Sequence, residues 1–218
     1  MALPQLKIDT TEARLAGVSA PQGAAWSNSV RADALARVRQ MGLPTKRDEY
    51  WKYTDPASLT SADAGQAALF HTDEVPLFDA VDRVRVVFVD GVFDADASDD
   101  LQAEGLEIER LADAMQTDIH WAKDLYGVLE ARGQNPVERP LAALNTALAT
   151  DGVVIRVTGQ ASKPINLIYL HNDEHSDAIL HNVVKVEAGA EVTLLETGPA
   201  AARFSKQLEV EVADGATF

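Results

Sequence analysis

Three histidines, His171, His175 and His181, fall within eleven residues beside Asp173 and Glu174. Nitrogen and oxygen donors this close in sequence are the ligand types that iron, zinc or manganese take. A His-x-x-x-His spacing puts two ligands on one helix face, but the stretch Leu-His-Asn-Asp-Glu-His-Ser-Asp is polar and lies between apolar runs. It reads as a solvated turn between strands. The densest acidic patch is Asp94, Asp96, Asp99 and Asp100, whose spacing invites a calcium loop. An EF-hand starting at Asp94 would need glycine where Asp99 stands and glutamate where Gly105 stands, so the match fails and a surface turn is expected.

No dinucleotide glycine fingerprint, phosphate-binding P-loop or serine-nucleophile elbow occurs, and nothing pairs a nucleophile with a base. The sequence therefore predicts no catalytic residue, no cofactor-binding residue and no metal ligand. There are no cysteines, which excludes disulfides, thiolate zinc sites and an iron-sulfur cluster held by this chain's own sulfur. The formal charge of -15 argues against nucleic acid and anionic membranes as partners. The N-terminus lacks the apolar core of a signal peptide, and no apolar run approaches the ~18 residues of a spanning helix. A cytoplasmic location is expected.

The elements that would position these residues fall into three parts. Residues 1–80 read as a mainly helical N-terminal domain. Within it, a helix over 28–41 places Val30, Ala34, Val38 and Met41 on one face and ends at Gly42. Residues 56–80 read as a partly irregular linker. Residues 81–150 read as a mixed α/β connecting region, with a tight Asp90-Gly91 turn between two short strands and helices near 109–116, 122–131 and 139–149. Residues 151–218 turn to β, with runs at 153–157, 165–170, 179–186, 191–196 and 207–212.

Two of these β runs repeat. Val-Glu-Ala-Gly-Ala-Glu-Val at 186–192 matches Val-Ala-Asp-Gly-Ala-Thr-Phe at 212–218, an offset of 26 residues that also maps Val184 onto Val210. A fixed period in this range with a glycine turn is the pattern of stacked solenoid coils, while an antiparallel sandwich with recurrent Gly-Ala turns remains the other reading.

Residues 43–55, Leu-Pro-Thr-Lys-Arg-Asp-Glu-Tyr-Trp-Lys-Tyr-Thr-Asp, join helix punctuation to an aromatic cluster. Pro44 disfavours helix in Leu43, Thr45 is placed to cap, and Asp48 completes a variant capping box, so a short helix is expected from Thr45. Tyr50, Trp51 and Tyr53 would then clamp it onto a neighbour, and Lys46-Arg47 would lie on its solvated face. A buried Trp51 would cost on the order of 3 kcal/mol when cut to alanine.

This stretch resembles the signature of the SufD branch of the SufB/SufD family, the scaffold subunits that assemble iron-sulfur clusters. Phe88-Val89-Asp90-Gly91, Leu144-Asn145-Thr146-Ala147, Asp151-Gly152-Val153-Val154-Ile155, Pro164-Ile165 and Gly189-Ala190-Glu191-Val192-Thr193-Leu194 follow in the family's order. The resemblance implies an α+β multidomain fold, a helical N-terminal domain followed by a right-handed parallel β-helix, with 151–218 as its first coils and the solenoid truncated at its C-terminal end.

It also implies a scaffold subunit, not an enzyme, acting with a SufB-like scaffold and a SufC-like ATPase. Iron-sulfur cluster, ATP and reduced flavin would belong to the complex and not to this chain. Self-association through the open β-helix end is a further expectation. The chain departs from the family at His181-Asn182, where Pro-Arg is common, and family members continue beyond the point corresponding to Phe218, so no functional residue carries over. The competing readings are a polysaccharide-active β-helix enzyme and a plain interaction module using the N-terminal helices.

Overall fold

The computed structural model describes residues 3–69 and 75–218. Part of the expected linker, residues 70–74, lies outside the described residues. Two helices open the chain, α1 (Gln5–Ala16) and α2 (Ala25–Met41). The second starts earlier than its capping residues suggest. No side chain caps it; instead Asn28 reaches back to bond both the amide and the carbonyl of Gly23 (2.9 and 2.7 Å). Its buried residues, Ser27, Arg31, Ala34, Val38 and Met41, recur at helical spacing, and Gly42 ends it at φ 65°.

The helix expected from Thr45 is reduced to a single 3-10 turn, Glu49–Trp51. Half of the capping box forms, with Thr45 N–H donating to Asp48 Oδ2 at 2.8 Å. Propagation fails because a short helix needs a buried face, and here Tyr50 and Tyr53 stand 74% and 90% exposed. Helix α3 (Ala57–Thr60) follows.

Strands β1 (Val84–Val89) and β2 (Val92–Asp94) form the expected hairpin, turning through Asp90 and Gly91, both at positive φ. After β3 (Gln102–Ala103), strand β4 (Leu106–Arg110) runs into the start of the helix expected near 109–116, which is shortened to α4 (Leu111–Ala114). Helices α5 (Val128–Arg132) and α6 (Pro140–Leu148) complete the helical layer. Five strands follow: β5 (Val153–Val157), β6 (Ile165–Leu170), β7 (Asp177–Val186), β8 (Leu194–Thr197) and β9 (Arg203–Val212).

These strands build a four-stranded sheet in the order β2-β1-β6-β8 and a five-stranded sheet in the order β3-β4-β5-β7-β9. The right-handed parallel β-helix expected from the repeat and the resemblance is not what they form. Both sheets are mixed: β1 with β2, β3 with β4, and β4 with β5 are antiparallel, and neither sheet closes into a coil. The architecture is mixed α/β, with two mixed sheets and six α-helices among the described residues.

The 26-residue offset itself corresponds to a register, since β7 and β9 pair in parallel with Val184 opposite Val210 and Val186 opposite Val212. A repeat reports which strands are neighbours, but β1 to β4 enter the same sheets from earlier in the chain and set their mixed sense. With the β-helix go the grounds for a polysaccharide-active β-helix enzyme and for self-association through an open solenoid end.

The layers explain the apolar pattern. Val153, Ile155 and Val157 of β5 meet Val86, Phe88, Ile165 and Leu167 between the sheets, while Val154, Ile179 and Val183 face Ala34, Val38, Ala143 and Ala147 of the helices. A strand buried on both faces reads as a continuous apolar run, as Val-Val-Ile-Arg-Val nearly does.

Candidate functional site

The edge strand β9 alternates sharply. Phe204, Leu208 and Val210 turn into the core between the sheets. Its other row, Arg203, Ser205, Gln207 and Glu209, would be a solvent face in an uncovered sheet. Here α1, α5 and α6 cover it, and each member finds partners: Arg203 pairs with Asp177, Ser205 accepts from Asn145, and Gln207 reaches Thr146 Oγ1. The row is a polar seam between helices and sheet, buried at Arg203 and Glu209.

At its far end Glu209 is 2% exposed and its carboxylate is fully engaged. It accepts the backbone N–H groups of Gly127, Leu129 (3.0 Å) and Glu130 (3.1 Å) at the start of α5, and His181 Nε2 donates to it at 3.0 Å. A carboxylate that collects three orphan amides at a helix start stabilises both the helix end and its own charge. His181 is wholly buried on β7, and the Tyr126 ring packs over it at 4.3 Å between centroids.

Tyr126 donates its hydroxyl to Thr146 O at 2.7 Å, and burial pushes its phenol well above the ordinary range. Arg31 lies 5.8 Å from that ring and bonds Ala147 O; burial lowers its pKa from the ordinary guanidinium value. Gly152 makes the close packing at His181 feasible, since a Cβ there would fall 2.0 Å from the His181 carbonyl oxygen. His181 Nδ1 is buried with no partner among the described residues. The histidine–glutamate pair is sealed from solvent. Its chemistry is that of a clamp between β7, β9 and α5.

The sequence candidates are not brought together. His171 lies after β6 with Nε2 on Asp173 O (2.9 Å), His175 is exposed on the same loop, and His181 sits in the sheet facing the helices. Asp90 organises that loop by accepting from Asn172 N, Asp173 N and Ser176 Oγ. Among the described residues no group of three or more His, Asp or Glu side chains is placed to hold a metal ion.

Three carboxylates of the acidic patch are likewise engaged locally. Asp94 accepts from the amides of Asp96 and Ala97, Asp100 from Gln102 N, and Asp99 binds Arg85 at 2.7 Å. That hydrogen bond holds the Asp99 carboxyl below the usual carboxylate range. Lys46 and Arg47 are exposed, and Trp51 is half-buried beside Pro44, Val137 and Pro140.

Arg31, Tyr126 and Glu209 escape a reading of the sequence alone. One signal is present: Arg31 stands at helical spacing within the otherwise small or apolar stripe of α2. Glu209 gives none, because its alternation is what an exposed strand face also shows.

Among the described residues no helix is long and apolar enough to cross a membrane. The model of the SufBD protein N-terminal region matches residues 18–167, more than half of the chain. The iron-sulfur cluster assembly protein SufD of Escherichia coli (strain K12) is 29% identical over 178 residues, covering 74% of this chain and 37% of that protein. The chain thus spans well under half the length of the curated relative it matches.

Proposed function

The chain belongs to the SufB/SufD family, and from that premise we propose that it serves as a SufD-like scaffold subunit in iron-sulfur cluster assembly. It works in the cytoplasm within a complex of SufB-like and SufC-like partners and has no turnover of its own. The family match over residues 18–167 carries this reading. The chemistry of the chain supports it: without cysteine, the polypeptide offers no thiolate to iron, so a cluster is cargo whose sulfur another subunit supplies. ATP and reduced flavin act at the level of the complex. The buried polar seam supports a structural part for this chain, because its charged groups are spent on joining helices to sheet.

The test is affinity purification of the affinity-tagged protein from its own cells at native expression level. SufB-like and SufC-like partners in defined stoichiometry are the expected result. Recovery without either partner, from cells in which both are expressed, would overturn the reading.

A further inference from the structure

At the other end of the β9 polar row lies a cavity of about 280 Å³, between α1, α3, α6 and the strands β7 and β9. Leu59, Leu141, Leu144, Ile179 and Phe204 contribute to its walls, together with Arg14, Asn145 and Arg203. Its size sits near the lower end of the ~300–1,000 Å³ typical of small-molecule pockets.

The charges around it do not balance. Asp177 is shared by two arginines: Arg14 Nη2 donates to Asp177 Oδ2 at 2.9 Å, and Arg203 approaches the same carboxylate through Nε (2.9 Å) and Nη2 (2.6 Å). Arg203 is otherwise satisfied, since Nη1 donates to the Ser61 carbonyl at 2.7 Å. Arg14 is not. Its side chain is 2% exposed, yet Nε and Nη1 are buried with no acceptor among the described residues. Asn145, also a lining residue, has its Oδ1 buried without a donor, while its Nδ2 is held by Leu180 O and Ser205. Lys206, the remaining charged lining residue, is neutralised by Glu196.

Two buried cations thus face one carboxylate, and a buried guanidinium short of acceptors is costly unless something supplies them. Burial lowers the pKa of Arg14, and the nearby Arg203 adds to that, against the opposing pull of Asp177.

We propose that this cavity is a binding site for a small organic anion, with its oxyanion head on Arg14 and its apolar body against Leu141, Leu144 and Ile179. An oxyanion beside the two arginines supplies the missing negative charge, which neither a neutral ligand nor a cation does. The site is separate from the scaffold reading and stands or falls without it.

The test uses benzoate as a carboxylate with an apolar body, benzamide as its neutral counterpart and inorganic phosphate as a head without a body, titrated into the full chain and followed by amide NMR shifts. Saturable benzoate binding is expected, with shifts centred on Ala142, Asn145 and Ser205 and with benzamide weaker by about tenfold or more. Arg14→Met should weaken benzoate by a similar factor. Leu141→Trp, which narrows the cavity while leaving Arg14 in place, should weaken it too, and unliganded spectra show whether each variant is folded. No saturable binding by benzoate or phosphate, or benzoate binding undiminished in folded Leu141→Trp, would overturn the proposal. Phosphate binding as well as benzoate in the same cavity would retain the oxyanion site and remove the apolar body from the recognition.

Discussion

Residues 43–55 and the polar row of β9 carry aromatic or charged residues in comparable density, and the structure treats them in opposite ways. In the first segment Tyr50 and Tyr53 project into solvent from a single 3-10 turn. In the second, Arg203 and Glu209 are 5% and 2% exposed; Glu209 ties α5 to the sheet, and Arg203 holds Asp177 of β7 and the Ser61 carbonyl just after α3. Leu43 apart, which is wholly buried in the helical core, the segment that reads most distinctively in the sequence therefore contributes little to holding the fold, and the row that reads as an ordinary strand face contributes much. Distinctive wording and structural weight are separate properties of a sequence.

The largest break in that contrast comes from Glu209→Ala. It leaves three backbone amides and His181 without their acceptor in a buried site, so a loss of about 3–5 kcal/mol in chemical denaturation is expected. A loss within ~1 kcal/mol would mean that the row is not the clamp described. Next is Tyr126→Phe, which removes only the hydroxyl bond to Thr146 O and should cost about 1–2 kcal/mol by the same measurement.

On the other side of the comparison, Trp51 is half-buried, so Trp51→Ala should cost about 1 kcal/mol, well short of the ~3 kcal/mol a fully buried ring would. Tyr53→Ser should fall within ~0.5 kcal/mol of the parent. A Trp51 variant as damaging as Glu209→Ala would erase the distinction.

The smallest effect concerns pH. The folded-state pKa of Asp99 is lowered by its hydrogen bond to Arg85, so its contribution is present above the unfolded carboxylate value of about 3.9 and is lost as pH falls through the folded value. Asp99→Asn should flatten the acid limb of the stability profile in that window and leave the difference between pH 6 and 8 unchanged, measured as thermal midpoints across a pH series.

What the sequence disclosed follows from the range of each force. Val153 to Val157 and Ile165 to Leu170 are legible to the residue because double-sided burial makes continuous apolar runs. The Asp90-Gly91 hairpin is legible because its backbone demands those residue types. Val184 opposite Val210 shows that a repeat can disclose strand register, yet the sense of each sheet depends on β1 to β4, which lie outside the repeat.

The helix expected at Thr45 fails because capping is local while the burial that sustains a helix is not. Glu209 was illegible for the same reason: its role is set by α5, 80 residues away, and no pattern within β9 reports what covers it.

Under the proposed function this chain lends structure to cluster assembly without holding a cluster. The most direct measurement is anaerobic reconstitution of the purified chain with iron and sulfide, followed by desalting and Mössbauer spectroscopy. The expected result is no cluster-bound iron on the protein beyond that retained by an unrelated cysteine-free control. Stoichiometric iron with the signature of an iron-sulfur cluster, bound to this chain alone, would contradict it.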